Sequence, residues 1–113
     1  MNLLSIGGSD PSSGAGIQSD VKDFAGFNVH GLTVITAITS QNTSSFGMIE
    51  PVSQKILKNQ LESIISDFKI DGIKIGMVFN SQIISKSTGW CSKTVRKVSH
   101  RPAGTGFGKF STL

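Results

Sequence analysis

The sequence predicts an α/β fold in which a mostly parallel sheet carries flanking helices. Three observations carry that expectation. Short β-branched runs alternate with amphipathic stretches in the order strand, helix, strand, helix, strand, helix start. Glycine, proline, serine and asparagine cluster between them, where chain reversals belong. The length, 113 residues, suits one domain with a modest core.

Leu3 to Ile6 forms a first buried strand, stopped by Pro11 and the glycines around it. Ile17, Val21, Phe24 and Ala25 recur at helical spacing, which predicts a helix from about Ala15 to Ala25. Gly26 and Asn28 supply its stop signals, and His30 falls in the loop that follows. Leu32 to Thr39, "LTVITAIT", is the second strand by its β-branched content. "SQNTSSFG" reads as a loop. Pro51 precedes a second helix whose apolar stripe is Ile56, Leu57, Leu61, Ile64, Ile65 and Phe68. Each fully buried member of such a stripe stabilises by about 1.5–3 kcal/mol. Ile70 to Val78 is a third strand. Asn80 is placed to cap a further helix beginning "SQIISK". Left there, the third strand would keep an open apolar edge.

Charge divides the chain. Residues 1–84 sum to −2, whereas residues 85–113 hold six bases and no acid, for +6. From Ser87 on the apolar period is lost and Ser, Thr, Gly, Lys and Arg dominate. We therefore expect two regions: 1–86 as the folded domain and 87–113 as a basic irregular tail. No apolar run approaches the roughly 20 residues needed to span a bilayer, and neither a basic n-region nor a long h-region opens the chain. One cysteine, Cys91, allows no internal disulfide. The expected setting is cytoplasmic and the expected partners include no membrane.

The most informative stretch is the loop after the first strand, "GGSDPSSGAGIQSD". A Walker A loop requires G-x-x-x-x-G-K-[ST], and no lysine occurs here before Lys22. The dinucleotide pattern G-x-G-x-x-G fails at Ser19. Asp10 would repel phosphate. The loop still offers backbone N–H groups at a helix N-terminus, so its chemistry suits a neutral polar ligand better than a triphosphate.

Three segments in order, "SIGGSDPSSGAGIQSDVKDF", "TVITAITSQNT" and "DGIKIGMV", resemble the N-terminal part of the hydroxymethylpyrimidine/phosphomethylpyrimidine kinases of thiamine biosynthesis. The resemblance covers about residues 3–84. It implies an incomplete ribokinase-like three-layer sandwich. It implies a small-molecule pyrimidine substrate, phosphorylated first on its hydroxymethyl group and then as the monophosphate. In that family Gly8 would lie against the ring with its backbone, and Asp20 would face the site and bind polar groups of the substrate. Gln41 would hydrogen-bond the ring nitrogen and amino group, and Met77 would cover the apolar face. A primary amide presents one donor and one acceptor, matching an aminopyrimidine edge, and methionine adapts to a flat ring. Ser13 stands where the family usually has glycine. Pyridoxal kinases share the general layout, so a related pyridoxal-type kinase fragment is the nearest alternative.

The family uses ATP and Mg²⁺, but phosphoryl transfer also needs a proton acceptor and donors for the moving phosphate. The resemblance places these largely in the family's C-terminal half, and no site for them is identifiable in this chain. Gly104-Thr105-Gly106 echoes the family's anion hole, but Phe107 follows where a base is needed. The expectation is thus a truncated, inactive fragment with no assigned catalytic, cofactor-binding or metal residues. The full-length family could form a homodimer. A different class, a non-catalytic module whose basic tail binds nucleic acid through phosphate neutralisation, lacks any recognised motif beyond Trp90 as a lone stacking platform.

Overall fold

The computed structural model describes residues 1–76 and the backbone of two short segments, 98–100 and 111–112. Met77, the helix expected at "SQIISK" with its Asn80 cap, Trp90, Cys91, Gly104-Thr105-Gly106 and the side chains of the basic tail lie outside the described residues.

The chain runs β1 (Asn2–Ser9), α1 (Gly16–Gly26), β2 (His30–Gln41), β3 (Phe46–Pro51), α2 (Gln54–Asp67), β4 (Gly72–Ile75), β5 (Val98–His100) and β6 (Ser111–Thr112). They join in one sheet of order β3-β2-β1-β4-β5-β6. β1 pairs in parallel with β2 and β4, and β4 with β5, whereas the β2–β3 and β5–β6 pairs are antiparallel. The mostly parallel sheet expected from the sequence is present. The edge of β4 expected to stay open is paired with β5.

Alternation along β1 sorts the layers. Leu4 and Ile6 point to one face, where they join Leu32, Val34, Ile73 and Ile75 against Leu57 and Leu61 of α2. Ser5, between them, points to the other face and to α1. The two helices therefore cover opposite faces. Ser53 starts α2, its hydroxyl accepting the N–H of Ile56 at 3.2 Å. Ile56, expected in the buried stripe, is 50 % exposed. It flanks an open groove of Thr33, Asn59, Gln60, Ser63 and Ile64 beside β2. There the Gln60 side chain accepts from the Ile35 N–H at 2.8 Å and donates to its C=O at 2.9 Å. It satisfies the β2 backbone where β3, which pairs from Ala37 onward, no longer reaches.

Two readings change. The "SQNTSSFG" loop is a hairpin: β2 continues to Gln41, Asn42 and Ser45 make the turn, and Phe46–Pro51 returns as β3. β3 carries no period-two pattern because Gly47 interrupts it and it is exposed throughout. His30 is the first residue of β2 rather than a loop residue, and its ring stacks on Phe68 with centroids 5.8 Å apart.

Candidate functional site

β1 sits where the connectivity reverses: the chain leaves it toward β2 on one side and enters β4 on the other. In open α/β sheets the crevice at the carboxyl ends of strands flanking such a switch point is the usual ligand site. Here those ends are Gly7-Gly8-Ser9 of β1, Gln41 of β2 and Gly76 after β4. The Gly76 N–H donates to Ile6 C=O at 2.7 Å and holds the two parallel strands together at that end.

A bulge prepares the crevice. Gly7 is opposite Ile35 but Gly8 is opposite Ala37, so Thr36 is the extra residue of the bulge. Ala37, beside Gly8, then shares one face of β2 with Thr39 and Gln41. The Thr39 hydroxyl donates to the Ser9 C=O at 2.6 Å, and the Gln41 Nε2 donates to Thr39 Oγ1 at 2.9 Å. Gln41 is thereby fixed in one amide orientation, with its Oε1 and second N–H without a hydrogen-bond partner among the described residues. Gly8 and Gln41, two of the expected site residues, are brought to the same face.

The loop is organised from inside by Asp10, which is only 3 % exposed. Its Oδ1 accepts the Ser12 N–H at 2.9 Å and the Ser12 hydroxyl at 2.7 Å, and its Oδ2 accepts the Ala15 N–H at 2.8 Å. Gln18, from the first turn of α1, accepts the Asp10 N–H and donates to Ser9 Oγ. The carboxylate thus fills the space before the α1 N-terminus and offsets its positive end. Ser13 adopts φ 63°, the left-handed region that glycine enters freely, which explains why glycine suits this position.

Burial pushes the Asp10 carboxyl upward. Hydrogen bonds from the Ser12 hydroxyl and the Ser12, Ala15 and Gly14 backbone outweigh that and hold it below the ordinary value of 3.8. Stability from this depressed group is fully present above the unfolded value and is lost as pH falls through the folded one. The melting difference between the chain and Asp10→Asn should therefore be constant above pH 3.8 and shrink below it. A difference that grows on acidification would contradict the assignment.

Asp20, 7 % exposed, sits deeper, at the level of Ser5. Its Oδ2 accepts the Ser5 hydroxyl at 2.6 Å and its Oδ1 pairs with Lys74 Nζ. Ser5 and Lys74 are opposite each other on β1 and β4. Asp20 therefore ties α1 to the two central strands, and both of its oxygens are engaged by the chain itself. Sequence reasoning missed Asp10 as the loop's organiser. It also missed Ser5 and Lys74, which no local pattern links.

The described residues do not fit a nucleotide phosphate, since the chain's own carboxylate occupies the helix N-terminus. No group of three or more His, Cys, Asp or Glu side chains among them could hold a metal ion.

The architecture is that of a ribokinase-like α/β fold with glycine backbone and polar side chains at the switch point. A family model described as phosphomethylpyrimidine kinase matches residues 10–99; the chain belongs to this family. It is 46 % identical over 82 residues to the hydroxymethylpyrimidine/phosphomethylpyrimidine kinase of Rhizobium meliloti, covering 73 % of this chain and 31 % of that protein. The crystal structure of phosphomethylpyrimidine kinase from Clostridium difficile superposes with a TM-score of 0.87 at 37 % identity, over 96 % of this chain and 51 % of that one. Pyridoxal kinase from Staphylococcus aureus, solved in complex with AMP-PCP and pyridoxal, superposes with a TM-score of 0.82 at 29 % identity, over 90 % of this chain and 38 % of that one. The chain spans about a third of the length of the curated relatives it matches.

Proposed function

We propose that this chain carries the ring-binding part of an ATP-dependent kinase that phosphorylates hydroxymethylpyrimidine and its monophosphate in thiamine biosynthesis. The observation that carries the reading is Gln41, held by Thr39 on the same face as Gly8, with one acceptor and one donor that have no hydrogen-bond partner among the described residues. That pair matches an aminopyrimidine edge. A site built to pair such groups rejects rings that leave them unpaired. Gly8 offers its backbone to the ring, and the family resemblance assigns Met77 to the ring's apolar face. Asp20, committed to Ser5 and Lys74, supports the floor of the site and meets the ligand only through the lone pairs those bonds leave.

ATP and Mg²⁺ supply the phosphoryl group and its charge neutralisation in this reading. The described residues neither fit nor position them, so the chain's own contribution is binding and orientation of the ring. A cytoplasmic setting and a homodimer of the full-length kinase belong to the same reading. The basic tail is given no nucleic-acid role.

Titration calorimetry with 4-amino-5-hydroxymethyl-2-methylpyrimidine tests the proposal. Binding should weaken at least about tenfold in Gln41→Leu, which keeps the volume and removes the paired amide. Pyridoxal serves as competitor. Equal binding by Gln41→Leu, or tighter binding of pyridoxal, would refute the pyrimidine reading.

A further inference from the structure

The β2–β3 hairpin holds an apolar surface that the reading above does not use. Ile49 lies opposite Thr39, and Phe46 lies opposite Gln41. Directly opposed residues of an antiparallel pair project from the same face with Cβ atoms about 4.5–5.5 Å apart. Phe46 and Ile49 therefore share the face of Thr39 and Gln41, the two residues that tie the hairpin to the Ser9 loop.

This placement depends on a second bulge. The register shifts between Ser40, opposite Met48, and Gln41, opposite Phe46, so Gly47 is the extra residue. A Cβ at Gly47 would lie 2.8 Å from the Ser40 carbonyl oxygen, which reserves the position for glycine. Without the extra residue Phe46 would project from the other face. A strand edge has been bent to set an aromatic ring, 53 % exposed, beside an amide whose remaining donor and acceptor have no hydrogen-bond partner among the described residues.

We propose that Phe46, with Ile49 behind it, is the wall on which the bound ring stacks while Gln41 reads the ring's polar edge. Phe46 is then a specificity-determining residue: Gln41 selects the hydrogen-bonding edge, and Phe46 selects a flat aromatic body. The inference rests on the ring-binding reading above.

The test uses the whole 113-residue chain, with 4-amino-5-hydroxymethyl-2-methylpyrimidine as the probe. Phe46 ring protons should show intermolecular Overhauser contacts to the ligand's 2-methyl group or ring proton. Phe46→Ala should weaken binding about tenfold while the amide shifts of Leu57, Leu61 and Ile75 stay in place. Binding without those contacts and with undiminished affinity in Phe46→Ala overturns the assignment of Phe46 and leaves the ring-binding reading standing. Absence of binding by the unaltered chain overturns the reading itself and the inference with it. Should Phe46→Ala lose its fold, the Overhauser contacts in the unaltered chain decide alone.

Discussion

Asp20→Ala is expected to lower the stability of the chain by about 3–5 kcal/mol. The substitution takes away the carboxylate that pairs with Lys74, whose side chain is 12 % exposed, between β1, β4 and α1. It also strips Ser5, fully buried, of its acceptor. Both penalties fall where three elements meet, so local relaxation cannot relieve them. For a domain this size the melting temperature should fall by at least about 10 °C. The paired substitution Asp20→Leu with Lys74→Met removes both charges and should recover most of the loss, because a buried ion pair contributes little net stability over apolar residues of similar volume. An unchanged melting temperature in Asp20→Ala, or a double variant no better than the single, would contradict this account of the triad.

Gly16→Ala is the second large effect. Gly16 has φ +65°, and a Cβ there would stand 2.4 Å from the Gly8 carbonyl oxygen. Forcing a side chain into that backbone conformation costs about 1–2 kcal/mol, and overpacking against a fixed strand adds roughly 1–3 kcal/mol. The contact can be relieved only by moving the α1 N-terminus away from β1. That would break the Asp10 bonds to Ser12 and Ala15 and shift Gly8. Gly16→Ala should thus lose about 3 kcal/mol and bind the pyrimidine poorly even where it still folds. Normal stability and normal binding in this variant would refute the close packing of loop on strand.

The loop also shows what the sequence made legible. Its failure as a phosphate loop was readable from the missing lysine and from Asp10, and the structure supplies the reason: the carboxylate takes the place an anion would occupy. The strand at Leu3–Ile6 was legible as a short apolar run, that at Leu32–Thr39 by its β-branched content, and both helices by the spacing of their apolar residues. The third strand was expected over Ile70–Val78, and only Gly72–Ile75 is a strand among the described residues. Strand β3 was illegible for a physical reason. Its stability comes from hairpin pairing with β2, and the bulge at Gly47 destroys the alternation that would announce it. The same bulge hid Phe46, which reads as a loop aromatic until its partner is known. Asp20 was visible as a site residue by resemblance alone. Its bonds to Ser5 and Lys74 join positions 15 and 54 residues away, a distance over which no periodicity speaks.

The central claim is that the crevice bounded by Gly8, Ser9 and Gln41 holds a neutral pyrimidine. The most direct test is an amide NMR spectrum of the chain titrated with 4-amino-5-hydroxymethyl-2-methylpyrimidine. The account predicts dispersed peaks, with saturable shifts concentrated at Gly8, Ser9, Gln41 and Phe46 and small changes at Leu57 and Leu61 on the α2 face. A dispersed spectrum that does not move, or one that moves only at residues remote from the carboxyl ends of β1 and β2, would contradict it.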